Sequence, residues 1–298
     1  MCHSSGDSRG EFPLTKLDQF ESVFKSAAKE KFAYERVDLT RVLLVSDLPT
    51  DSTVPLLGQV RSFLSVLEGT RTEWRQLSGD DFESVHQLLE RVAERRPDLI
   101  VTWRHLHSNA WHWPYSLGEH LDVLTQATEV PVLVLPHPDA DRALPHTLQN
   151  TDRVMAITDH LTGDARLVNH ALRFSEPGGT CWLTHIEGER QFERFLEAVS
   201  KIPEIDTEAA RERVAEQLLK EPRDYIRSCR EGIEAQQLDV KIEEIVRMGR
   251  RVSEYESLVA EQRIDLLVLN TMDGDQLAMH GQAYPLAVEL RRVPLLML

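Results

Sequence analysis

Three histidines and two aspartates are the residues of this chain best placed by type and spacing to do chemistry. His105-x-His107 sets two imidazoles on one side of an extended segment, and His112 follows in the same loop, a spacing suited to a divalent metal. No cysteine joins them, Glu119 is the nearby carboxylate, and Trp103, Trp111 and Trp113 crowd the same stretch. A packed aromatic–histidine loop accounts for that composition better than a metal centre, and no metal ligand is assigned. Asp47 and Asp159 each close a short apolar run, VLLVSD and VMAITD. Open α/β sheets bind ligands at the carboxyl ends of such runs, whereas an aspartate before a helix serves equally as its N-cap; both readings stand. No GxSxG elbow, P-loop or GxGxxG occurs, so no catalytic set emerges and the chain is read as a non-enzyme.

The elements that must position these residues follow from pattern. Continuous apolar runs at 42–45, 99–101, 132–135, 154–157 and 266–269 read as buried parallel strands. Between them lie stretches of helical period: Leu56 to Leu67, Phe82 to Val92, Leu117 to Leu124 and Asp164 to Phe174. A further helix is expected over 14–33, a long helical region over 191–236 broken near Pro203 and Pro222, and a capping box at Ser253–Glu256. Alternating strands and helices make an α/β protein with helices on both faces of a parallel sheet.

The pattern occurs twice. VLLVSD matches VMAITD, each followed three residues on by a threonine, Thr50 and Thr162. Asp98-Leu-Ile-Val matches Asp265-Leu-Leu-Val, and Val130-Pro-Val-Leu matches Val293-Pro-Leu-Leu, with Gly118 and Gly281 equally far upstream of their prolines. The first copy is shorter by about one βα unit. The division is a tail and helix over 1–40, a first domain over 41–137, a proline-bearing linker over 138–152 and a second domain with a long helical insertion over 153–298.

Composition narrows the function classes. Forty-nine acidic against 34 basic residues give a net charge of −15. Such a surface repels phosphate backbones and anionic headgroups, so neither nucleic acid nor membrane is expected as a partner. Three cysteines without CxxC spacing fit a reducing compartment. The polar N-terminus and the lack of any 18-residue apolar run lead to a cytoplasmic expectation.

The order strand–Asp–helix, then DLIV, then a glycine, then VPVLVLP resembles the universal stress protein family, in tandem over roughly 41–137 and 153–298. The resemblance implies two doubly wound sheets of the adenine-nucleotide α-hydrolase-like kind, packed as an internal pseudo-dimer through strands 131–136 and 293–298, or a homodimer. Many members bind ATP through a glycine, two residues, a glycine, nine residues and Gly-Ser or Gly-Thr. Here the motif is degenerate. Gly118 is followed by Glu119, and Gly281 by Gln282, with Gly274 only six intervening residues before it. The cofactor-binding candidates that the resemblance carries over are Asp159, Asn270, Gly274 and Gly281 in the second copy, and Asp47 and Gly118 in the first. ATP is the cofactor so implied. The function expected is regulatory binding of a protein partner or small ligand, with an ATP-binding second copy or a metal-binding module as alternatives.

Overall fold

RVLLV, LIVTW, VLVL and LLVL are apolar along nearly their whole length, and each becomes a strand flanked on both sides: β1 (Arg41–Val45), β3 (Leu99–Trp103), β4 (Val132–Leu135) and β8 (Leu266–Leu269). The computed structural model describes residues 31–68, 71–112, 115–138, 143–158, 163–271 and 283–298. Helices α1 (Thr50–Phe63), α2 (Val85–Arg95) and α3 (Glu119–Ala127) connect β1 to β2 (Glu73–Leu77), β3 and β4. The second half follows with β5 (Arg153–Thr158), α4 (Ala165–Phe174), β6 (Gly179–Gly188), α5 (Glu189–Val199), α6 (Thr207–Ala235), β7 (Val240–Gly249), α7 (Arg251–Glu261), β8, α8 (Ala283–Glu289) and β9 (Leu295–Met297).

All nine strands form one sheet in the order β2-β1-β3-β4-β9-β8-β5-β6-β7. Every neighbouring pair is parallel except β4 and β9, which run antiparallel with Val132 opposite Met297, Leu133 opposite Leu296 and Val134 opposite Leu295. The two strands expected to meet therefore do so, and their directions make the carboxyl rims of the two halves face opposite ways across the seam. The repeat is visible in three dimensions: β1, β3 and β4 correspond to β5, β8 and β9. Four strands lie on one side of the seam and five on the other, so the extra unit is β7 with the helices before it.

Alternation along the strands sends side chains to two cores, and each core crosses the seam. Leu43, Ile100, Val132, Leu267 and Leu295 share one face with residues of α2, α3, α7 and α8. Val42, Leu99, Leu133, Leu266 and Leu296 share the other with residues of α1, α4 and the C-terminal half of α6. Residues 31–40, which have no regular structure, strap the first half onto the second: the Phe32 N–H donates to Ser228 Oγ at 3.1 Å, and Asn169 Nδ2 donates to the Ala33 carbonyl at 3.1 Å.

Several local expectations change. The helix expected over 14–33 does not reach 31–33; its remainder lies outside the described residues. Pro222 does not break the long helix, because α6 runs through it and buries Tyr225, Ile226, Cys229 and Ile233 beyond. The capping box at Ser253 does not form: α7 starts earlier, at Arg251, and Ser253 Oγ donates to the Arg250 carbonyl. The capping box that does form is Ser84 with Gln87, opening α2. The stretch between the halves is tied down, with the Leu144 N–H donating to the Arg292 carbonyl at 2.9 Å and His146 Nε2 3.1 Å from the Ile264 carbonyl.

The repeat-matched aspartates at the amino-terminal rim part company chemically. Asp98 accepts from the Thr40 and Arg41 N–H groups and from the Arg41 guanidinium. Burial opposes its charge, but those bonds outweigh it and hold the carboxyl down at about 2. Arg153, the counterpart of Arg41, instead donates its guanidinium to the Gln262 carbonyl and lies over Trp182. Buried Asp265 is left with the Arg153 N–H and a second carboxyl, Asp152; burial first, then Asp152, pushes it up to about 8.

Candidate functional site

A strand order that turns back on itself leaves a crevice at the carboxyl ends of the strands where the direction changes. In the first half that point is between β1 and β3, and Asp47 and Trp103 flank it. Trp103 Nε1 donates to Asp47 Oδ1 at 3.1 Å, and the His107 N–H donates to Asp47 Oδ2 at 2.9 Å. Asp47 is thus no helix cap; Pro49 occupies that position, without a side-chain cap bond. It pins the loop after β3 across the crevice. His105 and His107 hold positive φ angles of 63° and 55°, conformations that cost about 1–3 kcal/mol each for such residues and persist only where the surroundings impose them.

The surroundings are specific. The His105 N–H donates to the Leu117 carbonyl at 3.0 Å. Gly118 follows with φ +89°, and a Cβ there would lie 2.8 Å from the His105 Cα. The glycine's close approach is therefore taken up by the protein's own main chain. His107 stands edge-on to Phe82 at 4.8 Å and lies 5.6 Å from the ring of His120. His105 is buried, whereas His112 is exposed and turns its Nδ1 to the Asn109 carbonyl at 2.9 Å. The three histidines are not brought together, and among the described residues no three His, Cys, Asp or Glu side chains form a metal-binding group. Burial first, then Arg104, pushes the His105 imidazole below its ordinary value; burial first, then His107, does the same to His120.

Sequence reasoning missed Arg104. It is fully buried, yet its guanidinium donates to the Ala287 carbonyl at 3.1 and 2.6 Å and to the Leu290 carbonyl at 3.4 Å. A loop of the first half thereby caps the C-terminal end of α8 in the second, where a cation suits the exposed carbonyls. Burial, then Arg291, pushes this arginine down to about 9. No local signal in the sequence points to a partner 183 residues away.

In the second half the crevice lies between β5 and β8. Asn270, just past β8, donates from Nδ2 to Asp164 Oδ2 at 2.5 Å, while Asp164 Oδ1 accepts from the Leu167 N–H at 2.9 Å and caps α4. An acid after the first strand again bonds a side chain at the end of its neighbour, but here the bridging group is a small amide instead of an indole. Asn270 Oδ1 is buried and has no hydrogen-bond partner. Asp159, Gly274 and Gly281 lie outside the described residues.

No protein-family model and no curated protein matches the sequence. Among solved structures, a universal stress protein from Archaeoglobus fulgidus aligns with a TM-score of 0.51 at 12% identity, over 88% of this chain and 97% of its own. The fold is that of a universal stress protein. The likeness spans both halves, because 88% of the chain exceeds either one. A protein of unknown function from Pseudomonas aeruginosa PAO1 aligns with a TM-score of 0.44 at 15% identity, over 97% of this chain and 89% of its own. Within this universal-stress fold, no helix among the described residues is long and apolar enough to cross a membrane.

Proposed function

We propose that this chain is a cytoplasmic, non-catalytic regulatory protein of the universal stress type, acting by binding a protein partner or a small ligand. The observation that carries the reading is the closed crevice of the first half. Both carboxylate oxygens of Asp47 are engaged by Trp103 and the His107 main chain, and Gly118 already packs against His105. A phosphate cradle needs free backbone N–H groups and open space beside its glycines, which counts against ATP in this half. The stress-response assignment rests on fold analogy. The internal seam stands in for the strand pairing by which single-unit relatives dimerise.

A second reading, ATP in the second half, is favoured by Asn270, whose buried Oδ1 lacks a donor beside Asp164. There Asn270 would accept from a nucleotide N–H or hydroxyl, and Asp164 would hold the amide in place. Bound ATP would supply a polyphosphate able to act as a switch.

Thermal denaturation with and without millimolar ATP and Mg²⁺ separates the two, since a ligand of the folded state raises its stability. No shift supports ATP-independent binding. A rise that Gly281→Val abolishes and Gly118→Val leaves in place supports the nucleotide-binding second half.

A further inference from the structure

Away from both crevices a cavity of about 380 Å³ opens at the junction of the halves, on the face covered by α1, α4 and α6. It lies within the size range of small-molecule sites. Its walls come from four places: the strap from Tyr34 to Val37, Val66 after α1, the C-terminal end of α4, and Leu238 to Val240 at the start of β7. Val37, Val66, Leu172, Leu238 and Val240 give that lining its aliphatic part.

Among its polar residues is Arg173, on the last turn of α4. Its Nη1 donates to the Val66 carbonyl at 3.0 Å, and among the described residues no carboxylate comes within ion-pair distance. Arg36, also in the wall, is already matched by Asp38 at 3.0 Å. Arg173 is thus a partly buried cation in the cavity wall, with one carbonyl bond. Buried charges are ordinarily paired; burial, then Arg36, pushes this guanidinium down from its ordinary value, against a weaker opposite pull from Asp38 and Tyr34. Asp239 elsewhere in the lining disfavours a ligand with several negative charges.

We propose that this junction pocket binds a small monocarboxylate with an apolar body, its carboxylate on Arg173 and its hydrocarbon part against Val66, Leu172 and Leu238. The planar guanidinium fork suits a carboxylate geometrically. Because the strap, Val66 and α4 all contribute walls, occupancy would tighten the two halves against each other.

Isothermal titration of the full chain with hexanoate, benzoate, hexanol and inorganic phosphate tests this. The expected result is saturable one-to-one binding of hexanoate or benzoate, with hexanol and phosphate weaker by about tenfold or more. Arg173→Met should weaken the carboxylates by a similar factor, about tenfold or more. That variant also loses the bond to Val66, so Leu238→Trp, which fills the cavity and leaves Arg173 untouched, provides a second reading: it should keep the wild-type melting curve and lose binding. Absence of saturable binding by either carboxylate overturns the proposal. So does equal binding of hexanol, or unweakened binding in whichever of the two variants folds.

Discussion

Asp265 and Asp98 occupy matching places in the repeat and titrate in opposite directions. For Asp265 the folded pKa, about 8, lies above the unfolded carboxylate value near 3.9. Between those values the folded state holds a proton that the unfolded state has released, so stability is fullest below about pH 4 and falls as pH rises toward 8. Asp265→Asn keeps a neutral acceptor for the Arg153 N–H, and it should flatten the pH dependence of the melting temperature over that window. An unchanged slope would show that Asp265 is ionised in the fold. Gly118 makes the second prediction at this scale. Gly118→Ala should cost at least about 1–3 kcal/mol in urea denaturation, since the φ of +89° disfavours any side chain and His105 blocks the Cβ. The sequence marked Asp47 as a site residue by its place after a strand, and Gly118 by the glycine motif that the resemblance carries. That they face a tryptophan and a histidine of the same chain depends on tertiary placement, which no local pattern records.

At the scale of elements, strands were the most legible part, because a strand buried on both faces has to be apolar throughout. Helix ends were less so. Pro222 and the Ser253 box obey local rules that packing overrides: four buried residues hold α6 together beyond its proline. The repeat marked VPVL and VPLL as equivalent strands, and their pairing at the seam was expected only from the family resemblance. The seam's energetic weight can be measured at Leu296, fully buried and opposite Leu133. Leu296→Ala should lower the unfolding free energy by about 2–5 kcal/mol, several times the effect of Val54→Ala on the exposed face of α1.

As a whole molecule, two halves of similar strand order do not make two independent folding units. Both cores cross the seam, Arg104 reaches from one half to a helix end of the other, and the strap over 31–40 binds back to α4 and α6. Urea transitions followed by tryptophan fluorescence and by far-ultraviolet circular dichroism should therefore coincide. Arg104→Met, which leaves the carbonyls of Ala287 in α8 and Leu290 just beyond it without their donor, should shift both together. A fluorescence transition that separates from the dichroism would show the halves to be autonomous.

The antiparallel seam has a consequence in time. Val132 pairs with Met297, roughly 160 residues further on, an interval of some ten seconds or more at about 5–20 residues per second of synthesis. Throughout it, β4 has an open edge of four apolar residues, VLVL, the kind of edge that recruits strands from other chains. On the ribosome the first half is therefore adhesive until the second is nearly finished. Nascent chains halted before Pro294 should cross-associate through β4, and those that include β9 should not.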